Sequence, residues 1–162
     1  TIIIPRHITR VSDISSLAIK HKLTSQILND KEDINKKADI IIVNSFGVLE
    51  KYYDYCKNVF VGKSMLKKLK KVGGQNPIEP AKLGCKVFYG PYVYNFKEIY
   101  EFLNSNGVAI QVHNEQDLSS KLLESFETNN ILSTRHIEDL EKYGDKILTE
   151  TISRIKSYIN IY

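Results

Sequence analysis

Residues 73–84 have the sequence Gly-Gly-Gln-Asn-Pro-Ile-Glu-Pro-Ala-Lys-Leu-Gly, and the rest of the predicted fold is organised around them. The two leading glycines permit a backbone turn that larger side chains would block. Asn76 is a helix-capping residue, Pro77 suits the first helical position, and Glu79 stands where a capping box places its acid. Gly84 is expected to end the helix after about two turns.

A glycine turn that leads into a helix gathers unpaired backbone N–H groups at the positive end of the helix dipole. Such an arrangement favours a phosphate group. The same pattern is also typical of an ordinary α/β unit with well-formed helix caps. On the residues alone both interpretations stay open, and the short strand predicted at residues 85–89 fits either of them.

Other strand ends in the chain are followed by residues that suit a ligand site. Residues 2–4 form an Ile-Ile-Ile run closed by Pro5-Arg6, and residues 39–43 form the clearest strand, with a loop at residues 44–47. Continuous apolar runs of this length are typical of parallel strands that are buried on both faces. The alternation of strands and helices predicts an α/β fold with a doubly wound parallel sheet. Ligands of such sheets bind where the carboxyl ends of the strands meet.

Length and charge narrow the classes of protein that the chain can represent. A chain of 162 residues with 42% hydrophobic content suits one domain with a real core. Lys and Arg exceed Asp and Glu by 23 − 19, or +4, which does not by itself indicate nucleic-acid binding. Five lysines lie within residues 63–71. An RNA-binding domain that uses them is the weakest alternative, because no aromatic residues are interleaved with them.

Cysteine and histidine usage argues against a disulfide framework and against zinc. Cys56 and Cys85 have apolar or aromatic neighbours, so they are expected to be buried, reduced thiols in a cytosolic protein. The four histidines lack metal-ligand spacing, and we expect no metal and no cofactor. Thr1 leads directly into a core-type strand and the single methionine is Met65. From this we expect the chain to be part of a larger protein.

Several short blocks occur together in a recognisable order. In chain order they are Pro5-Arg6-His7, Ser45-Phe46-Gly47, Phe60-Val61-Gly62 with Ser64, Gly73 to Pro80, Gly90-Pro91 and Asn95-Phe96. These blocks resemble the C-terminal half of the 3-deoxy-D-manno-octulosonic acid (Kdo) transferases. Members of that family are GT-B glycosyltransferases that transfer Kdo from CMP-Kdo to the lipid A precursor, lipid IVA, in lipopolysaccharide biosynthesis. The resemblance extends from Ile2 to about Glu124.

The resemblance implies a fold and a set of donor-binding residues. It implies a single Rossmann-like domain over residues 1–162, with a helical tail at residues 130–162, that lacks the N-terminal acceptor domain of the whole enzyme. The family's general base belongs to that N-terminal half, so no catalytic residue is expected in this chain. The residues expected to contact CMP are Pro5, Arg6, Phe46, Gly47, Val48, Gly73, Gly74, Asn76, Pro77, Ile78 and Glu79.

The chemistry of these residues fits a nucleotide sugar. Arg6 offers a planar cation to a phosphate or carboxylate, and Glu79 can accept hydrogen bonds from ribose hydroxyls. The chain departs from the family pattern at several points: Gln75 replaces the usual histidine, and Asn44-Ser45 replaces the usual Asp-Thr. Val48 stands where the family often has glutamate, so contacts from residues 46–48 are expected through backbone and packing.

The resemblance also implies partners and a location. The donor is CMP-Kdo, and the lipid A precursor is expected to bind through the N-terminal domain of the whole enzyme. The resemblance implies a location at the cytoplasmic face of the inner membrane. The lysines at residues 63–71 make an anionic membrane surface a further expected partner, with a solvated face or contact with the donor as the alternatives. Nucleic acid is not an expected partner. Two alternatives stay open: a GT-B donor domain for another nucleotide sugar, and a non-catalytic nucleotide- or phosphate-binding module.

Overall fold

The computed structural model describes residues 1–128 and 134–159. The chain forms two compact units, Thr1–Tyr52 and Tyr53–Tyr162. No helix in the described part of the chain is both long and apolar enough to cross a membrane.

The unit Thr1–Tyr52 is built on a three-stranded parallel sheet. Its strands are β1 (Ile2–Ile3), β2 (Ser25–Leu28) and β3 (Ile40–Val43), in the order β1-β3-β2. Helix α1 (Val11–Lys20) follows β1 and packs against β2 and β3. Strand β3 lies in the centre and its last three residues are buried. This confirms the apolar run at residues 39–43 as a strand buried on both faces.

The unit Tyr53–Tyr162 contains a second three-stranded parallel sheet. Its strands are β4 (Asn58–Val61), β5 (Lys86–Tyr89) and β6 (Ala109–Gln111), in the order β4-β5-β6. The core of this unit joins β5 to the next helix, because Val87, Tyr100 and Leu103 are almost fully buried. The α/β class with parallel strands and intervening helices is therefore confirmed. Its helices are α3 (Ile78–Lys82), α4 (Lys97–Ser105), α5 (Glu115–Glu127) and α6 (Thr134–Ile159), and the short α2 (Leu49–Tyr53) precedes β4.

Several details of the helices differ from the sequence-based expectations. Helix α3 has only five residues, although Gly84 follows it with φ +77° as a helix-terminating glycine should. A glycine favours the interruption of a helix, but helix α6 continues through Gly144. No atom lies within 4 Å of the position that a Cβ atom would take at this glycine. The helix break predicted at Asn129-Asn130 lies outside the described residues. The single domain over residues 1–162 stays a prediction.

Both cysteines are free thiols, as predicted. Cys85 is fully buried, and its Sγ donates a 2.8 Å hydrogen bond to the backbone oxygen of Cys56. Burial disfavours the thiolate and raises the pKa of Cys85 to about 11. The pKa of Cys56 is also raised, again chiefly by burial. Cys85 therefore acts as a core residue that links the start of β5 to the backbone of Tyr53 and Cys56, just before β4.

The raised pKa of Cys85 predicts a loss of stability at alkaline pH. The folded state favours the neutral thiol, so this contribution is complete below the ordinary thiol pKa of 9.0 and is lost as pH rises towards about 11. We expect the free energy of unfolding to fall across this window, and to fall less steeply in Cys85→Ala. Urea titrations at pH 8, 9 and 10 measure both slopes. Equal pH dependence in the two proteins would contradict the assignment.

Candidate functional site

The glycine pair at residues 73–74 packs tightly against neighbouring backbone. A Cβ atom on Gly73 would lie 2.2 Å from the carbonyl oxygen of Tyr92 and 2.8 Å from that of Leu69. Gly74 has φ +93°, a conformation that favours glycine, and its N–H donates to the carbonyl of Lys63 over 2.8 Å. The predicted glycine turn is present. The amide of Gly74, which was expected to be a donor to phosphate, is already engaged in forming this turn.

The loop after β5 holds the glycine turn in place. The backbone N–H of Asn95 donates to the carbonyl of Gly73 over 3.3 Å, and its side-chain Nδ2 donates to the carbonyl of Val72 over 3.2 Å. Asn95 forms no capping bond with α4, which begins after a 3₁₀ turn at Tyr94–Phe96. The hydroxyl of Tyr100 donates to the carbonyl of Gln75 over 3.0 Å. Residues of the loop and of α4 thus set the position of the turn.

The start of α3 presents one acidic side chain to solvent. Asn76 Oδ1 accepts a 3.0 Å hydrogen bond from the N–H of Ile78, which confirms Asn76 as a cap. The predicted capping box is not formed, since Glu79 makes no side-chain hydrogen bond within the described residues and is exposed. The pKa of Tyr53 rises to about 12, mainly through burial and secondly through the charge of Glu79. The carboxylate of Glu79 therefore lies near Tyr53 and stays accessible to a ligand.

Few backbone donors remain at the start of α3. Pro77 and Pro80 have no N–H, and the amide of Ile78 is used by Asn76. Within the described residues, the amides of Asn76 and Glu79 have no hydrogen-bond acceptor. A five-residue helix has a small dipole, so these two amides, not the dipole, are the group that suits a phosphate oxygen.

The other predicted contact residues follow β1 and β3 in the unit Thr1–Tyr52. Parallel pairing of Ile3 with Ile42 places the residues that follow both strands at the same edge of the sheet. Pro5 is half-buried and Arg6 is exposed at the end of β1. Arg6 therefore follows the end of β1, at the edge of the sheet where α/β folds bind ligands, and its role as a ligand contact stays a prediction.

The loop after β3 is held by polar side chains and exposes an aromatic ring. Ser45 Oγ donates to Asp30 Oδ1 over 2.6 Å, and Asn44 Nδ2 donates to Asn29 Oδ1 over 2.8 Å. Asn44 and Ser45 therefore connect the end of β3 to the residues that follow β2. Phe46 is 68% exposed.

The residues next to this ring differ in their exposure. Gly47, with φ +70°, is exposed, and Val48 is half-buried. This loop therefore presents mainly the ring of Phe46 and the backbone around Gly47 to a ligand. The backbone and packing contacts expected from residues 46–48 stay a prediction.

Sequence analysis did not predict the roles of Asn29, Asp30 and Ser64. Asn29 and Asp30 belong to a polar stretch that was interpreted as a solvated connection, and only their position after β2 could have singled them out. Ser64 is fully buried, accepts from the N–H of Gly90 over 2.9 Å and donates to the carbonyl of Val61 over 2.7 Å. Ser64 therefore joins the ends of β4 and β5 beside the glycine turn.

An open cavity of about 290 Å³ lies at the carboxyl ends of β5 and β6. The ring of Tyr89 is 4.3 Å from that of Tyr100, and burial raises the pKa of both tyrosines. No pattern in the sequence predicts this cavity. Its lining residues include Lys70, Tyr89, Tyr94, Lys97, Glu101 and Gln111.

The described residues contain no group of three or more His, Cys, Asp or Glu side chains placed to hold a metal ion. The candidate chemistry of the chain therefore consists of two sets of residues. Pro5, Arg6 and residues 46–48 belong to the unit Thr1–Tyr52, and residues 73–79 belong to the unit Tyr53–Tyr162.

The chain is similar in sequence to known Kdo transferases. It is 32% identical to the 3-deoxy-D-manno-octulosonic acid transferase of Aquifex aeolicus over 123 residues, and this matched region covers 76% of this chain and 32% of that protein. It is 29% identical over 165 residues to the enzyme of the same name from Rickettsia prowazekii, covering 98% of this chain and 34% of that protein. The chain thus spans about a third of the length of these relatives. No protein-family model matches the chain.

A solved structure shares the fold. The C-terminal CMP-Kdo binding domain of WaaA from Acinetobacter baumannii superposes with a TM-score of 0.71 and 21% identity, covering 91% of this chain and 72% of that domain. This likeness establishes the α/β architecture of the chain. Taken with the sequence relatives, it shows that the chain is a homologue of the 3-deoxy-D-manno-octulosonic acid transferases and has the fold of their C-terminal domain.

Proposed function

We propose that this chain is the donor-binding part of a glycosyltransferase that transfers Kdo from CMP-Kdo. The observation that carries the proposal is the arrangement at residues 73–79. A glycine turn is fixed there by backbone contacts. It leads to the amides of Asn76 and Glu79, which have no hydrogen-bond acceptor within the described residues, and to the exposed carboxylate of Glu79. The sequence relatives named as Kdo transferases support CMP-Kdo as the donor.

Each group in the second unit has a definite partner on a cytidine nucleotide. The amides of Asn76 and Glu79 are suited to oxygens of the single phosphate of CMP-Kdo, which carries a negative charge. The carboxylate of Glu79 is suited to the ribose hydroxyls, because it accepts hydrogen bonds and donates none. Pro77 and Ile78 lie between Asn76 and Glu79 in the sequence, and in this proposal they shape the surface of the site.

The unit Thr1–Tyr52 contributes a cation and an aromatic surface in this proposal. Arg6 is suited to the phosphate or to the carboxylate of Kdo. Phe46, exposed beside Gly47, offers a flat apolar face to a base or sugar. Val48 is half-buried next to this loop, and Pro5 is half-buried after the end of β1.

The reaction of the whole enzyme follows from these roles. A carboxylate base, which we place in another part of the enzyme, removes the proton from a hydroxyl of the lipid A precursor. The hydroxyl oxygen bonds to the anomeric carbon of Kdo, and the bond from that carbon to the phosphate oxygen of CMP breaks. CMP leaves with the bonding electrons, and the donors of this chain stabilise its charge. Because the acceptor is a lipid, we place the whole enzyme at the cytoplasmic face of the inner membrane.

A comparison of nucleotides tests the proposed donor. Calorimetry with CMP, UDP, GDP and a short single-stranded RNA measures the affinity of the chain for each. We expect CMP to bind at least about tenfold more tightly than UDP or GDP, because both of these carry a second phosphate and a base whose hydrogen-bonding edge differs from that of cytosine. Tighter binding of UDP or GDP would instead support a donor domain for another nucleotide sugar, and preference for RNA would overturn the proposal.

The 162 residues alone are expected to bind the donor without transferring the sugar. Transfer needs the acceptor held against the donor, and this positioning contributes much of the rate. The assay supplies CMP-Kdo generated in the reaction mixture and a lipid A precursor, with a full-length homologue as the positive control. Measurable turnover by the 162-residue chain would show that its own residues supply the base.

A further inference from the structure

The segment from Lys63 to Lys71 forms a continuous basic surface. Its five lysines are all exposed, and no acidic residue occurs between residues 62 and 78. We call this the lysine segment; it consists of Lys63, Lys67, Lys68, Lys70 and Lys71.

The lysine segment is anchored to the fold by its backbone. The carbonyl of Lys63 accepts from Gly74, the carbonyl of Ser64 accepts from the N–H of Tyr92 over 2.9 Å, and residues 67–69 form a 3₁₀ helix. Ser64 is fully buried, and Leu69 is half-buried. The lysines therefore extend from a structured base, and their charges stay together on the surface.

Apolar side chains are exposed among these lysines. Leu66 is 54% exposed and Val72, directly after the segment, is 50% exposed. Exposed aliphatic side chains are unfavourable on a surface that contacts only water, but they insert well into the boundary between lipid headgroups and acyl chains. Lysines around them would meet the phosphates of anionic lipids.

The cavity beyond β5 extends the same surface. Lys70 lines it together with Tyr94 and Lys97, so these three residues surround one opening of about 290 Å³. Tyr94 is 68% exposed, and tyrosine is suited to the interfacial region of a membrane. Glu101 also lines the cavity and lies 3.6 Å from Lys97, which offsets the charge of that lysine but of none in the lysine segment.

We propose that the lysine segment, with Leu66, Val72 and Tyr94, docks the chain on a bilayer surface that contains anionic phospholipid. The lysines supply the attraction to lipid phosphates, and the three exposed side chains enter the interfacial region. This surface shares no residue with the proposed donor site at residues 73–79, and its assignment does not depend on which nucleotide the chain binds. RNA is the less favoured partner, because Leu66 and Val72 offer no ring on which a base could stack.

Sedimentation with lipid vesicles tests the surface. The chain is mixed with vesicles of phosphatidylcholine alone, or of phosphatidylcholine with about 30% phosphatidylglycerol, at low and at physiological salt. Each basic residue near an anionic surface strengthens binding by about fivefold. We therefore expect the variant with Lys67, Lys68, Lys70 and Lys71 changed to Gln to bind the anionic vesicles at least about tenfold more weakly than the wild type.

A variant of equal net charge serves as the control. Replacing Lys20, Lys36, Lys37 and Lys51 by Gln also removes four exposed lysines, none of them in the lysine segment. We expect this control to bind anionic vesicles with an affinity within about twofold of the wild type, because salt screens the long-range attraction of charges that do not touch the bilayer. Leu66→Ser is expected to weaken the binding that persists at physiological salt, which charge alone does not sustain.

Three outcomes would overturn the proposal. The first is no selective binding of the wild-type chain to anionic vesicles. The second is an equal loss of binding in the two quadruple variants, since net charge would then account for the attraction. The third is tighter binding to single-stranded RNA that competes the chain from the vesicles. Circular dichroism of each variant shows that the fold is retained.

Discussion

Gly73→Ala is expected to destabilise the unit Tyr53–Tyr162 by about 3 kcal/mol or more, because a new Cβ atom would overlap fixed backbone. The atom would lie 2.2 Å from the carbonyl oxygen of Tyr92, 2.8 Å from that of Leu69 and 3.0 Å from that of Lys63. Carbonyl oxygens cannot rotate away as side chains do. The turn would have to open, and the start of α3 would move with it. Urea denaturation measures the change in the free energy of unfolding.

Gly62→Ala is the matched control for this substitution. Gly62 lies in the same unit, and no atom lies within 4 Å of the position that a Cβ would take there. We expect the control to change the free energy of unfolding by less than about 1 kcal/mol. A Gly73→Ala protein that is as stable as Gly62→Ala would show that the packing around the glycine turn is not as tight as described.

Glu79→Gln is expected to weaken CMP binding by about 1.5–3 kcal/mol, or roughly tenfold to a hundredfold, because a charged acceptor becomes a neutral one. The change keeps the size of the side chain. The carboxylate is exposed and makes no hydrogen bond within the described residues, so the fold should lose little. Calorimetry with CMP measures the affinity, and thermal melting reports the stability of each protein.

Glu115→Gln provides the corresponding control, since Glu115 is also an exposed acid in the first turn of a helix. It lies at the start of α5, far along the chain from the proposed donor residues. We expect its CMP affinity to match the wild type within about twofold. Equal affinities of Glu79→Gln and wild type would refute a ligand role for Glu79.

Strands β1, β3 and β5 could be predicted because each contains a short apolar run with a clear end. The run at residues 40–43 became the central strand β3, and the thiol of Cys85 is buried as its neighbours indicated. The order β1-β3-β2 could not be predicted, since parallel strands pair across long crossovers and carry no local signal for their neighbours. The division into two three-stranded sheets could not be predicted for the same reason.

Prediction of the candidate site was more complete for backbone turns than for side chains. The glycine turn and the Asn76 cap follow from the special conformations that their residue types allow. The side chains of Asn44 and Asn95 bond to distant segments, and no local pattern in the sequence indicates those partners. The requirement for glycine at position 73 arises from carbonyl groups of Lys63, Leu69 and Tyr92, and such contacts exist only once the chain is folded.

Nuclear magnetic resonance of the ¹⁵N-labelled chain during titration with CMP tests the central claim most directly. Binding of the donor nucleotide at the start of α3 predicts saturable shifts that are largest at the amides of Asn76, Ile78 and Glu79. Smaller shifts at residues 46–48 would fit the proposed role of that loop. Shifts that are confined to the cavity residues Lys97 and Gln111, or the absence of any saturable shift at residues 76–79, would contradict the assignment.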